Sequence, residues 1–116
     1  METLKNLLFE VREHVAYITL NRPEVSNAMN LEMSREFYEA AFECEQSSDV
    51  RAVLITGAGR AFCSGGDVKS FSAQEPSGLA AYYRRLTLFL HQAIHRLARM
   101  RAPVVMGSMA PPVAEG

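Results

Sequence analysis

Gly65-Gly66-Asp67, a few residues beyond the apolar run Val53-Leu54-Ile55-Thr56, is the step of this chain best suited to chemistry. Two adjacent glycines let a backbone approach a ligand closely, and Asp67 suits the cap of a helix that starts there. Backbone N–H groups left unpaired at such a place donate to an anion, or to an oxygen that gains negative charge during a reaction. The residue types therefore suit polar catalysis on a carbonyl. A helix-start turn that uses glycine for geometry alone is the plainer alternative.

Three other sets of residues compete for attention. Thr56 to Phe62 fits a dinucleotide-binding glycine pattern loosely after a strand, but Cys63-Ser64-Gly65-Gly66 breaks the helix that should follow. No acidic residue ends a second strand about 20 positions on, either. His91 and His95 stand four apart on one helix face, yet two ligands without a third are weak grounds for a metal. Arg84 and Arg85 suit phosphate contacts and suit an ordinary solvated helix face equally well.

The elements that must position these groups follow from pattern. Leu7 to Arg12 and His14 to Leu20 alternate as two strands of a hairpin turning near Glu13-His14, and Asn21-Arg22-Pro23 stops the second. Asn30 caps a helix from Leu31 to about Gln46, with an apolar stripe of Leu31, Met33, Phe37, Ala41 and Cys44. A strand over Ala52 to Thr56 comes next, then the glycine loop and a short helix near Asp67 to Phe71. Ser72 to Gly78 reads as a surface loop. A long helix over about Leu79 to Arg99 is expected to bury Tyr82, Leu86, Phe89, Ile94 and Leu97 and to keep Arg84, Arg85, Arg96 and Arg99 wet. Pro103 ends it, and Val104-Val105 opens another strand. The alternation predicts an α/β fold with parallel pairing after the initial hairpin.

Composition narrows the partners. The 116 residues suffice for one domain with a modest core. A net charge of −1 argues against nucleic acid or an anionic membrane as main partner. No apolar run reaches the ~18 residues that span a bilayer. The N-terminus lacks a basic and apolar leader, and Cys44 and Cys63 form no ligand cluster, so a reducing cytoplasm is the expected location.

Ala61-Phe62-Cys63-Ser64-Gly65-Gly66-Asp67-Val68 resembles the first signature of the crotonase superfamily, the enoyl-CoA hydratases and isomerases. Val15 to Pro23 followed by Asn27-Ala28-Met29-Asn30 resembles the family's opening strand and turn. Ser48 to Val53 and Ala102 to Val105 are similar to the approaches to its next strands. The resemblance implies the N-terminal part of a crotonase-like ββα spiral fold, truncated, with residues 1–116 as one partial acyl-CoA-binding domain. It implies the Gly66 N–H as one oxyanion-hole donor for a thioester carbonyl. It places the coenzyme A site at Val25, Ser26, Ala28, Ser64, Gly66, Asp67 and Val68. The helix carrying His91 resembles that of the 4-chlorobenzoyl-CoA dehalogenase branch, where the matching histidine is a base. No cofactor is implied beyond coenzyme A as part of the substrate.

From about Met106 the chain departs from the family, whose strand ends in VNGxAxGGG before the first catalytic glutamate. In that register the second oxyanion glycine falls at Glu115. Back-translation of Gly107 to Gly116, read two bases later, yields VNGPAGGGG for a suitable choice of wobble bases. A frameshifted, prematurely ended reading of a longer gene is thus expected, with a short natural paralogue as the alternative. The implied parent activity is hydration or isomerisation of an enoyl-CoA through an enolate-like intermediate, and this chain itself is expected to be inactive. Dehalogenase-like or epoxide-isomerase-like chemistry is one alternative. A non-catalytic fragment that binds acyl-CoA, aggregates or associates with a partner chain is another; full-length relatives resemble homotrimers or hexamers.

Overall fold

The computed structural model describes residues 4–59, 62–63 and 65–107. Strands β1 (Leu7–Arg12) and β2 (Val15–Leu20) form the expected antiparallel hairpin. Glu13 and His14 both take positive φ, 51° and 72°. This is the conformation a two-residue hairpin loop demands, met here without the usual Asn-Gly pair. His14 is held there from outside: its Nδ1 lies 2.9 Å from Asp49 Oδ1 and 3.0 Å from the Asp49 carbonyl.

Helix α1 (Leu31–Gln46) starts where the cap residue dictates, with Asn30 Oδ1 accepting the Met33 N–H at 2.9 Å. It carries the chain over to β3 (Ala52–Gly57), which pairs parallel with β2, Ile18 opposite Ile55. A short helix α2 (Val68–Ser72) and a long one, α3 (Pro76–Arg99), then lead to β4 (Val104–Met106), parallel to β3. The sheet order is β1-β2-β3-β4. Strand alternation sends Ala16, Ile18, Leu20, Val53 and Ile55 into one core with Met33, Phe37, Ala40 and Cys44 of α1 and Leu86, Ala93 and Leu97 of α3.

Three expectations are corrected. The stretch Pro76–Gly78 is not loop but the first turn of α3: Pro76 sits at the helix start, where a missing N–H costs nothing. Ile94 is exposed, because the buried stripe runs Leu86, Ala93, Leu97, one face further round. Arg96 is not fully wet: it lies over the Phe42 and Tyr38 rings at 5.0 and 5.5 Å and pairs with Glu45, tying α3 to α1. Among the described residues no helix is long and apolar enough to cross a membrane.

Candidate functional site

The site assembles where the C-terminal ends of β2 and β3 meet the glycine loop. After β2 the chain makes a 3-10 turn at Pro23–Val25, and Ser26 and Asn27 follow with positive φ of 55° and 57°. This turn is fastened by Asn27, which is fully buried. Its Oδ1 accepts the Arg22 N–H at 2.7 Å and its Nδ2 donates to the Ala58 carbonyl at 2.9 Å, so the exits of both strands are joined.

Met29 then runs beside Gly66 as an isolated parallel bridge: the Met29 N–H donates to Gly65 O at 2.7 Å, and the Asp67 N–H donates to Met29 O at 2.9 Å. In a parallel bridge the flanking groups of Gly65 and Asp67 face Met29, so the N–H of Gly66 itself points to the opposite side. Gly66 is exposed, and among the described residues its N–H has no acceptor. Gly65 takes φ of 118°, a conformation that L side chains rarely adopt, so glycine is required at the turn into the bridge.

An ion pair locks the arrangement. Arg22 Nη2 lies 2.8 Å from Asp67 Oδ2, with the two side chains only 13% and 9% exposed, and Arg22 Nη1 donates to the Ala28 carbonyl. Asp67 also caps α2, its Oδ1 accepting the Ser70 N–H at 3.2 Å. The hydrogen bond from Arg22 holds the Asp67 carboxyl below the usual carboxylate range, outweighing the opposite effect of burial.

Beside Gly66 opens a cavity of about 430 Å³. Its wall includes Leu20, Met29 and Ile55 from the sheet side, Phe62, Cys63 and Phe71 from the loop and α2, and Tyr83, Leu86, Thr87, Leu90 and Ile94 from α3. Among the described residues the lining contains no carboxylate, imidazole or cationic side chain.

The structure therefore brings together several residues singled out from sequence. Gly66 pairs with Met29, and Arg22 joins Asp67 to the Ala28 carbonyl; in the same turn Val25 is half-buried, Ser26 exposed and Ala28 buried. Val68 begins α2. Ser64 lies outside the described residues, as does Glu115. His91 is not brought to the cavity: it is exposed on α3 and absent from the lining, while His95 is exposed with its Nε2 3.4 Å from Arg99 Nη1. Arg84 and Arg85 are exposed. Among the described residues no group of three or more His, Cys, Asp or Glu is placed to hold a metal.

Two participants were missed from sequence. Arg22 read as part of a turn motif, although an acidic helix cap in a glycine loop needs a cation if it is to be buried. Tyr82 packs against the core as its spacing predicts, and its hydroxyl, which the spacing does not reveal, accepts the Leu31 N–H at 3.1 Å and so ties α3 to the start of α1.

A four-stranded mixed sheet with a glycine-loop amide over an apolar cavity defines the class, and comparison with known proteins gives the family. The enoyl-CoA hydratase/isomerase family matches residues 15–108. A 1,2-epoxyphenylacetyl-CoA isomerase of Escherichia coli is 35% identical over 100 residues, covering 85% of this chain and 38% of the relative. A 4-chlorobenzoyl coenzyme A dehalogenase-2 of an Arthrobacter species is 31% identical over 107 residues, covering 92% of this chain and 39% of the relative. The crystal structure of a Mycobacterium smegmatis enoyl-CoA hydratase superposes with a TM-score of 0.78 at 32% identity, over 88% of this chain and 39% of that one. The chain belongs to the enoyl-CoA hydratase/isomerase family, the crotonase superfamily, and has the fold of its N-terminal part. It spans about a quarter to two fifths of the length of the curated relatives it matches.

Proposed function

We propose that this chain binds an acyl-CoA thioester, with the thioester oxygen at the Gly66 N–H and the acyl group directed into the adjoining cavity. The observation that carries this reading is the Met29–Gly66 bridge, which pins both neighbours of Gly66 and turns its amide away from them. A donor fixed in this way is worth roughly 3–4 kcal/mol when negative charge develops on the oxygen it faces. The turn of Val25, Ser26 and Ala28, with Ser64, Asp67 and Val68, is assigned to coenzyme A, which enters as part of the substrate. The acyl group is drawn from straight-chain enoyl groups and, by the names of the E. coli and Arthrobacter relatives, from aryl acyl groups.

The parent chemistry is hydration or isomerisation through an enolate-like state. Such chemistry needs a proton-transfer group within hydrogen-bond reach of the substrate. Among the described residues the cavity wall contributes the Cys63 thiol and the Tyr83 phenol as its titratable groups. The chain on its own is therefore assigned binding and carbonyl polarisation without turnover, in a cytoplasm that keeps Cys44 and Cys63 reduced. His91, exposed and outside the lining, is not assigned a role as base.

The test uses a conjugated, light-absorbing enoyl-CoA. Binding to the wild-type chain should shift its absorption to longer wavelength, as a donor pulls electron density onto the carbonyl. Gly66→Pro, which has no N–H, is compared with Gly66→Ala, which brings the same Cβ to 3.0 Å from Phe71 but keeps the N–H. With both folds checked by circular dichroism, the shift should be abolished in the proline variant and retained in the alanine one. An unshifted spectrum for the bound wild type would refute the assignment of Gly66. A second reading, association with a partner chain, is favoured by the exposure of Val105 and Met106 on β4, at 58% and 49%. Light scattering that shows only monomer across the micromolar range would exclude self-association.

A further inference from the structure

We propose that the cavity beside Gly66 is built for an aryl-bearing acyl group of the phenylacetyl kind. The proposal rests on the acyl-CoA assignment above and specifies its substrate class.

Size comes first. An apolar cavity of about 150 Å³ suffices to bind benzene, so about 430 Å³ leaves most of its space unfilled by a four-carbon enoyl group. Polarity comes second. Thr87 contributes a hydroxyl to the wall, but that hydroxyl is turned back onto the carbonyls of Tyr83 and Arg84 at 3.0 and 3.1 Å. Among the described lining residues none is charged, and the Tyr83 phenol and Cys63 thiol are the remaining polar side chains, so a carboxylated acyl group would give up its water for few replacement partners.

Shape decides between a ring and a straight chain. The Phe71 ring stands edge-on to Tyr82 and to Tyr83, with centroids 5.7 Å apart in each case and planes at 77° and 80°. That ring also borders the candidate donor: a Cβ placed on Gly66 would lie 3.0 Å from Phe71 Cε2. An acyl group whose carbonyl sits at Gly66 therefore meets the aromatic cluster within its first few carbons. Phe62 adds another ring to the same wall. An aryl ring gains edge-to-face contact there, which a methylene chain does not, and each such pair is worth about two- to tenfold in affinity.

The experiment titrates the full chain with phenylacetyl-CoA, octanoyl-CoA, crotonyl-CoA and free coenzyme A by calorimetry. Phenylacetyl-CoA should bind about tenfold more tightly than crotonyl-CoA and several-fold more tightly than octanoyl-CoA. Tyr83 is 53% exposed, so Tyr83→Ala leaves the core intact. It should weaken phenylacetyl-CoA about two- to tenfold and crotonyl-CoA distinctly less, and leave free coenzyme A, which carries no acyl group, unchanged; Tyr83→Phe should restore the binding. Equal or tighter binding of octanoyl- or crotonyl-CoA overturns the aryl assignment while leaving the acyl-CoA assignment standing. A Tyr83→Ala effect that is absent, or equal for all ligands, also overturns it. Failure of every ligand to bind overturns the acyl-CoA assignment and this proposal together.

Discussion

Replacing Arg22 by methionine tests the lock on the glycine loop most directly. The substitution removes the 2.8 Å contact with Asp67 Oδ2 and the hydrogen bond to the Ala28 carbonyl, and it leaves Asp67 charged. If the pair behaved as a surface ion pair, the loss would be about 0–1 kcal/mol. Breaking a buried pair by removing one partner costs about 3–5 kcal/mol. At 13% and 9% exposure the pair belongs to the second class. Asp67 keeps the Ser70 N–H as a donor, which puts the expected loss near the lower end, about 3 kcal/mol. Set against a total of about 5–15 kcal/mol for a domain of this kind, the change is large. Urea unfolding followed by circular dichroism should show a lower midpoint with an unchanged slope. The double variant Arg22→Met/Asp67→Asn should lose less than the sum of the two single ones. A loss below about 1 kcal/mol, or strict additivity, would refute the buried lock.

The same pair has a pH signature. The Asp67 carboxyl titrates lower in the folded chain than in the unfolded one, so the unfolded chain binds the extra proton first. Its stabilisation is present above the ordinary value of about 4 and disappears as pH falls through the lower folded value. Arg22→Met should flatten that acid limb.

Three further substitutions or reactions are expected to behave as follows. Gly66→Ala places a Cβ 3.0 and 3.2 Å from two Phe71 ring atoms, so it should cost about 1–3 kcal/mol in urea unfolding, with Phe71→Leu relieving part of the loss. Glu36 is 1% exposed and accepts the N–H groups of Lys5 and Asn6 at 3.1 and 2.8 Å; Glu36→Ala should cost about 2–3 kcal/mol and release the segment before β1, seen as faster amide exchange at Asn6. Burial, helped by Glu43, pushes the Cys44 thiol up to about 11, so a thiol reagent at pH 8 should label half-exposed Cys63 first and Cys44 only on unfolding.

Much of this architecture was legible in the residues because local chemistry and tertiary packing agree. Asn30 announced the start of α1, alternation announced β1 and β2, and an apolar, β-branched run announced β3. Where the two disagree, pattern failed. Ile94 satisfies a helical stripe, but α3 meets α1 through Leu86, Ala93 and Leu97, and Ile94 is left at the cavity. Pro76 reads with its polar neighbours as loop, although a proline opening a helix is as good a start signal as a proline breaking one is a stop. Arg96 shows the limit of reading charge as exposure, since its aliphatic stem and planar head pack on aromatic rings. The bridge from Met29 to Gly66 had no local signal at all, because neither residue's pattern reveals a partner 37 positions away.

The span of the Arg22–Asp67 contact, 45 residues, has a kinetic consequence. Closing a loop of that length in an unfolded chain costs about 3 kcal/mol of entropy before any constant term, which an ion pair, its desolvation counted, does not by itself return. The parallel register from Val15–Ala52 to Leu20–Gly57 removes that difficulty: once it exists, only the short excursions from Leu20 to Arg22 and from Gly57 to Asp67 remain to be ordered. Loop closure is therefore expected to come late, onto a sheet already formed. Arg22→Met should accordingly speed unfolding while leaving the folding rate nearly unchanged. On that order the Gly66 amide is aimed last, and the part of the molecule assigned to meet substrate is expected to open without unfolding the rest, seen as faster amide exchange at Asp67 than in β2 and β3.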